Sequence, residues 1–241
     1  MNHQITTITF FKYIDSKDKL WAFTMMQYAH KALNPVKGML FYKLMGSGKG
    51  LGFNPLPDWS VYSLLQIWES EQAAFEFFTN NELLNKYKQH THEIWTIYLK
   101  NKTSVGIWSG VQPFEKSNTL AERNTMVAVI TRATIKLNKL IAFWRFVPIA
   151  QKPLKKVDGL IYTKGIGEMP LLQMCTFSIW ENAEALKQFA YKSKEHRMAI
   201  EKTRSLKWYK EELFARFQPY KSVGVWQGKN LLPQLKGANL A

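Results

Sequence analysis

The chain has 241 residues, 46% hydrophobic and 14% aromatic, enough to bury the core of one large domain or two small ones and too apolar for a disordered polymer. Its 33 Lys and Arg against 18 Asp and Glu give a net charge of +15, which attracts polyanions. The basic residues are scattered (Lys12, Lys43, Lys86, Lys136, Lys155, Arg197, Lys221) and carry no recognition-helix, zinc-finger or RNA-binding signature, which sets nucleic acid aside.

The opening Met1-Asn2-His3-Gln4 is polar and no apolar run approaches the ~20 residues of a bilayer span, so a cytoplasmic protein is expected. From the amino terminus, period and punctuation predict strands near Thr6–Tyr13, Leu40–Leu44, Val61–Trp68 and Val105–Trp108, with helices near Lys17–Leu33 and Glu71–Leu99. A polar joint spans Gln112–Thr125. Strands then fall near Met126–Thr134, Leu160–Thr163, Gln173–Trp180 and Val223–Trp226, with helices near Leu137–Pro148 and Ala183–Phe217.

This order is one pattern stated twice. Leu20-Trp21-Ala22-Phe23 returns as Leu140-Ile141-Ala142-Phe143, Ile67-Trp68-Glu69 as Ile179-Trp180-Glu181, and the run Ser104–Gly110 as Ser222–Gly228. The predicted fold is therefore α+β: tandem ferredoxin-like repeats, residues 1–112 and 126–228, joined by 113–125 and followed by a tail, 229–241. Two such sheets, each with one face covered by its own helices, bury their remaining faces against each other and form an intramolecular dimeric α/β-barrel.

Several motifs carry no chemistry. Gly46-Ser47-Gly48-Lys49-Gly50 lacks the phosphate-loop spacing and reads as a flexible loop, with a role as a lid left open; Gly165-Ile166-Gly167 is its counterpart. The single cysteine, Cys175, lies in an apolar stretch and reads as a packed thiol. No His-Glu-x-x-His run and no Gly-x-Ser-x-Gly elbow occur.

The histidines are His3, His30, His90, His92 and His196. On the last predicted helix Leu186, Phe189, Ser193, His196 and Ile200 step by three or four residues and share a face. An imidazole there serves as a satisfied core group, a general base or a metal ligand. Leu83, Tyr87, His90 and Ile94 form a similar stripe in the first half, so periodicity does not rank His90 against His196. His92 lies on the opposite side of the helix and reads as solvated.

Longer stretches carry a resemblance. Phe41–Gly48, Phe53–Tyr62, Thr131–Ile135, Gly165–Pro170, Phe177–Trp180 and Trp208–Phe217 resemble the spheroidene monooxygenase family, and together they span nearly the whole chain. The resemblance implies a haem-dependent monooxygenase that introduces a hydroxyl and then a keto group at C-2 of an acyclic carotenoid such as spheroidene. It implies haem iron held by His196, with His90 as the alternative ligand, and Arg197 and Arg204 as partners of the haem carboxylates. Molecular oxygen and an external electron donor, a ferredoxin or a reductase, complete the implied reaction. A membrane-borne substrate and a basic surface further imply peripheral contact with an anionic inner membrane. Two alternatives share the fold: a haem-degrading monooxygenase, and a non-catalytic carrier of haem or another lipophile.

Overall fold

The structure, a computed structural model, describes residues 3–52, 54–151, 157–192 and 206–235. The first half comprises β1 (Ile5–Lys12), α1 (Ser16–Tyr28), α2 (His30–Leu33), β2 (Met39–Gly48), β3 (Pro57–Trp68), α3 (Glu71–Asn80), α4 (Glu82–His90) and β4 (Glu93–Gly106). The second comprises β5 (Val127–Ile135), a 3-10 turn at Leu137–Lys139, α5 (Leu140–Gln151), β6 (Leu160–Met169), β7 (Gln173–Trp180), α6 (Ala183–Lys192) and β8 (Tyr209–Gly224).

The eight strands close into one antiparallel barrel in the order β1-β3-β2-β6-β7-β5-β8-β4. Each half contributes its strands in the same internal order, with matching registers: β1 meets β3 from Ile5↔Trp68 to Lys12↔Val61, and β5 meets β7 from Val127↔Trp180 to Thr134↔Gln173. Two seams join the halves. A long ladder links β4 to β8, from Trp95↔Gly224 to Gly106↔Leu213, whereas β2 and β6 share only Gly46↔Gly167 and Ser47↔Ile166.

The long seam closes through one glycine at each end, Gly106 opposite Leu213 and Gly224 opposite Trp95. Gly106 and Gly224 have φ of 97° and 91°, a region L side chains rarely adopt. A Cβ at Gly106 would lie 2.2 Å from the Glu212 carbonyl oxygen, and one at Gly224 would lie 2.0 Å from that of Ile94. The short seam is bridged by ion pairs, Lys43 to Glu168 at 2.6 Å and Lys164 to Asp58 at 2.8 Å.

Alternation along each strand sorts the side chains. Ile8, Phe10, Leu65, Ile67, Trp95, Ile97, Ala128, Ile130, Phe177 and Ile179 fill the barrel, and their neighbours point out toward the helices. In the first half the outward set forms one continuous core in which Trp68, Leu64, Tyr98 and Leu44 meet Ala22, Phe77, Leu83 and Tyr87.

Two predicted helices end earlier than their sequences promise. The stretch Glu71–Leu99 is α3, α4 and the first half of β4. Asn81 terminates α3 and caps α4, accepting from the amides of Leu83 (2.9 Å) and Leu84 (3.4 Å), and Thr91 ends α4. Beyond it, Glu93–Leu99 is rich in β-branched and aromatic residues and pairs with β1. In the second half α6 is described to Lys192, and Tyr209–Phe217 is strand rather than helix. Its Glu, Leu, Ala and Arg favour helix, but pairing on both sides with β4 and β5 decides the outcome.

Smaller corrections follow from the same barrel closure. Lys17–Leu33 is divided near Ala29 into α1 and α2. Gly46–Gly48 and Gly165–Gly167 are not loops after strands; they lie inside β2 and β6, and Gly46 pairs with Gly167 across the short seam. Trp108 and Trp226 lie just beyond their strands, each in an isolated bridge, Trp108↔Val111 and Trp226↔Lys229.

Candidate functional site

The two halves differ most on the outer face of their sheets. In the first half the central positions are Thr9, Tyr42, Leu44, Leu64, Gln66, Thr96 and Tyr98, fixed to one face by the pairs Thr9↔Leu64, Thr9↔Thr96, Leu44↔Leu64, Tyr42↔Gln66 and Thr7↔Tyr98. Large side chains there meet the helices and close the space; Leu44, Leu64, Gln66 and Tyr98 are all buried.

The same register in the second half gives Thr131, Thr163, Gly165, Thr176, Ser178, Phe214 and Arg216. The pairs are Thr131↔Thr176, Thr131↔Phe214, Gly165↔Thr176, Thr163↔Ser178 and Val129↔Arg216. Tyr, Leu, Leu and Gln have given way to Thr, Gly, Thr and Ser. Thr131 is exposed and Thr176 and Ser178 are half-buried, while Thr163 and Gly165 are buried; in the first half Leu44, Leu64 and Gln66 are buried and Tyr42 half-buried.

Among the described residues the outer core of this half falls into two clusters. At one end Ile135, Phe143, Phe146, Val147, Met174 and Trp208 pack together. At the other Val127, Val129, Trp180 and Leu186 do so, with Phe189 against them. Between these two aromatic-rich walls lies a floor of small, hydroxyl-bearing residues. Such a trench, apolar at the sides with a few polar groups below, has the composition of a site for a large flat or elongated apolar molecule.

Two donors at the trench lack partners among the described residues. Arg216 Nε, on the floor, and Trp208 Nε1, in one wall, are buried without a hydrogen bond. The Arg216 guanidinium lies 5.3 Å from the Phe214 ring centre. A buried donor of this kind costs free energy until a partner arrives, and guanidinium is matched to a carboxylate.

The repeat makes Arg216 the counterpart of Tyr98, and that replacement was the signal available in the sequence; histidine spacing led elsewhere. His196, Arg197 and Arg204, along with Ser193 and Ile200 of the predicted stripe, lie outside the described residues. Leu186 and Phe189, which begin that stripe, face the Trp180 end of the trench.

His90 stands in the first half, away from the trench. Its Nδ1 lies 2.8 Å from Asp18 Oδ1, and its ring stacks on Trp21 with centroids 4.1 Å apart and planes at 17°. Ile94 does not continue its stripe, because Ile94 belongs to β4. His92 is exposed. His30 borders a surface cleft of about 350 Å³ lined also by Met26, Tyr42, Lys43, Leu44 and Glu168. There the Tyr42 hydroxyl donates to Asn34 Oδ1 at 2.5 Å and lies 2.8 Å from His30 Nδ1. Among the described residues no group of His, Cys, Asp and Glu is arranged to hold a bare metal ion.

Inside the barrel the symmetry of the halves is broken a second time. Phe10 packs among Trp95, Tyr162, Phe177 and Trp226. Its counterpart, Arg132, is fully buried and pairs with Glu211, with Glu168 at 3.7 Å and the Trp108 ring 5.7 Å away. Burial opposes ionisation of Glu211, but amide donations from Gly110 and Ser109 and the charge of Arg132 outweigh it and hold the carboxyl below its ordinary value. Glu168 also accepts from Trp108 Nε1 and Lys43 Nζ, both at 2.6 Å. Cys175 is buried, and burial pushes its thiol up, as befits a packed rather than a nucleophilic sulfur.

No protein-family model matches the chain. Among curated proteins it is 33% identical over 230 residues to the spheroidene monooxygenase of Rhodobacter capsulatus, covering 95% of each chain. It is 32% identical over 228 residues to that of Cereibacter sphaeroides, covering 94% of this chain and 70% of the relative. The Rubrivivax gelatinosus spheroidene monooxygenase is 30% identical over 192 residues, with 80% and 73% covered. Among solved structures an aldoxime dehydratase aligns over 98% of this chain and 88% of its own with a TM-score of 0.63. At 9% identity it speaks for the fold alone. With three relatives at this level of identity along most of its length, the chain belongs to the spheroidene monooxygenase family.

Proposed function

We infer that this protein is a haem-dependent monooxygenase that oxidises C-2 of an acyclic carotenoid such as spheroidene, giving first a hydroxyl and then a keto group. The observation that carries the reading is the hollowed outer face of the second half-sheet, where Thr163, Gly165, Thr176 and Ser178 replace the Tyr42, Leu44, Leu64 and Gln66 of the sealed first half. In a tandem of two ferredoxin-like repeats, residues 1–112 and 126–228 joined by 113–125, one copy is thereby left as scaffold and the other opened for a ligand.

The residues present fit haem. Arg216 offers its unpartnered Nε to a propionate, and the Phe146 and Trp208 wall and the Trp180 and Phe189 wall supply apolar and aromatic surface for a macrocycle. His196, four residues beyond Lys192 in sequence and outside the described residues, is proposed as the iron ligand, with Arg197 and Arg204 as further carboxylate partners. His90, tied to Asp18 and covered by Trp21, is the weaker alternative. When bound, haem would supply the oxidising power that no side chain has toward an unactivated carbon.

The chain's own part is to bind, orient and exclude water. The small floor leaves depth for the end of a polyene, the aromatic walls fix its direction, and the hydroxyls of Thr131, Thr176 and Ser178 can receive a newly formed hydroxyl group. Oxygen and an external electron donor, a ferredoxin or reductase, are required to balance each hydroxylation.

The deciding experiment analyses carotenoids in cells making an acyclic precursor with and without this protein, alongside the absorption spectrum of the purified protein. A Soret band with a 2-keto product supports the reading. A Soret band without product would leave a haem carrier, and loss of the haem itself on reduction in oxygen would indicate haem degradation.

A further inference from the structure

Helix α5 and the turn beside it expose apolar side chains that the core does not need. Leu137 is 76% and Ile141 71% exposed. Trp144, one helical turn further along the same face, is half-buried and donates from Nε1 to the Leu171 carbonyl at 3.1 Å. Leu171 and Met169 are exposed in their turn. These five residues make a continuous apolar lip.

The turn is built at a cost. In Met169-Pro170-Leu171-Leu172 the Leu172 amide bonds the Met169 carbonyl at 3.3 Å, and the third position, Leu171, has φ of 67°. Glycine or asparagine is favoured there, and a leucine is strained in the left-handed region. Leu171 nonetheless keeps 37% of its surface exposed.

The helix side of the lip carries charge of one sign; on the turn side Glu168 precedes Met169 but is tied to Lys43 and Arg132. From Asn124 to Val157 the sequence contains no Asp or Glu. Lys136 and Lys139 lie in the turn that carries Leu137, Arg145 follows Trp144, and Lys207 sits next to Trp208, whose carbonyl accepts from the Lys136 amide at 2.9 Å. An apolar strip with an aromatic residue, rimmed by cations, is the composition of a membrane-surface helix. Helix α1 also exposes apolar residues, Leu20 and Phe23, but Asp15 and Asp18 stand among its lysines.

The lip adjoins the trench. Leu140 and Trp144 pack on the wall formed by Ile135, Phe143, Phe146, Met174 and Trp208, and that wall ends the floor on which Thr131 and Thr176 lie.

We propose that the Leu137, Ile141, Trp144, Met169 and Leu171 lip, with Lys136, Lys139, Arg145 and Lys207, is the surface by which the protein lies on an anionic bilayer, placing the trench mouth against the source of its apolar ligand. This deepens the proposed function by assigning the route of entry; the docking itself rests on the lip alone.

The test is cosedimentation of the full chain with vesicles of phosphatidylcholine alone or with phosphatidylglycerol added. Wild type should bind the anionic vesicles, more weakly as salt rises. Leu137→Ser with Ile141→Ser, and separately Lys136→Glu with Lys139→Glu, should each weaken binding by about tenfold or more, because each removes interfacial apolar area or attractive charge. Leu20→Ser with Phe23→Ser should bind as wild type. Conversion of a detergent-solubilised carotenoid should be unchanged in the lip variants, which separates failure of docking from failure of catalysis. Equal vesicle binding by wild type and lip variants, loss of binding only in the α1 variant, or a wild-type dimer that the lip variants dissociate would overturn the proposal.

Discussion

Leu44 and Gly165 occupy equivalent positions on the two half-sheets: Leu44 pairs with Leu64 across β2 and β3, and Gly165 pairs with Thr176 across β6 and β7. The first pair is buried under its helices with two large side chains, while in the second Gly165 carries no side chain and Thr176 is half-buried. Restoring bulk to the second half should therefore remove binding without removing the fold. Thr176→Leu should keep its denaturation midpoint close to wild type and lower haem or carotenoid retention by about tenfold, the equivalent of about 1.4 kcal/mol. The converse change, Leu64→Thr, leaves a cavity and buries a hydroxyl, and should cost about 2–4 kcal/mol in urea unfolding. If Thr176→Leu binds as well as wild type, the trench is not the site.

Arg132 takes the place that Phe10 holds in the other half, and it is a buried cation between two carboxylates. Arg132→Ala strands Glu168 and Glu211 near the core and should destabilise by about 3 kcal/mol, near the lower end for a broken buried pair because the glutamates keep some solvent contact. Arg132→Met with Glu211→Gln removes both charges and should recover more than half of that loss. A double-mutant cycle in urea checks the coupling.

Acid should loosen the barrel at both ends of the β4–β8 seam. Glu93 accepts from the amides of Gln227 and Gly228 at 2.8 Å each, and Glu211 accepts from Ser109 and Gly110 at 2.9 Å each. Burial raises both carboxyls, but these amides, with Lys12 and Arg132, more than reverse it and leave both below the ordinary value. A carboxyl held lower in the folded state contributes stability that is complete above the unfolded value of about 4.3. That contribution is lost as pH falls through the folded value. Unfolding midpoints should accordingly be flat near neutrality and drop below about pH 4.5. Glu93→Gln with Glu211→Gln should lower the plateau and flatten the drop; an unchanged acid limb would show that other groups govern it.

Much of this arrangement was legible in the chain itself. The repeated Ile67-Trp68-Glu69 and Ile179-Trp180-Glu181 runs mark strands that align in the structure, since Trp68 pairs with Ile5 and Trp180 with Val127. The strand character of Tyr209–Phe217 was hidden, because Glu211, Glu212, Leu213 and Ala215 favour helix locally while pairing partners more than 70 residues away decide the outcome. Arg216 was hidden by the same error: on a helix it has no fixed relation to Thr131 or Thr176, whereas on β8 it joins them on one face. Reading the repeat position by position, Tyr42 against Thr163 and Leu64 against Thr176, would have exposed the trench, since loss of volume at matched core positions is visible without coordinates.

The proposed haem ligation provides the sharpest comparison between the halves. His90 has Nδ1 engaged by Asp18 and one ring face covered by Trp21, in a half whose outer core is continuous. His90→Ala should therefore lower stability by about 1 kcal/mol, through loss of a partly exposed pair and a stacking contact, and leave the Soret band in place. His196 follows α6, whose Leu186 and Phe189 face the Trp180 end of the trench. His196→Ala should lose most of the haem or shift the Soret band, stop carotenoid oxidation, and keep the circular dichroism of the barrel. Imidazole added to His196→Gly, which leaves a space of the right shape, should restore part of the spectrum, a response that a purely structural role would not give. If His90→Ala loses the haem while His196→Ala keeps its spectrum and activity, the ligand belongs to the first half; if neither substitution changes the spectrum, the iron is held elsewhere and the proposed assignment fails.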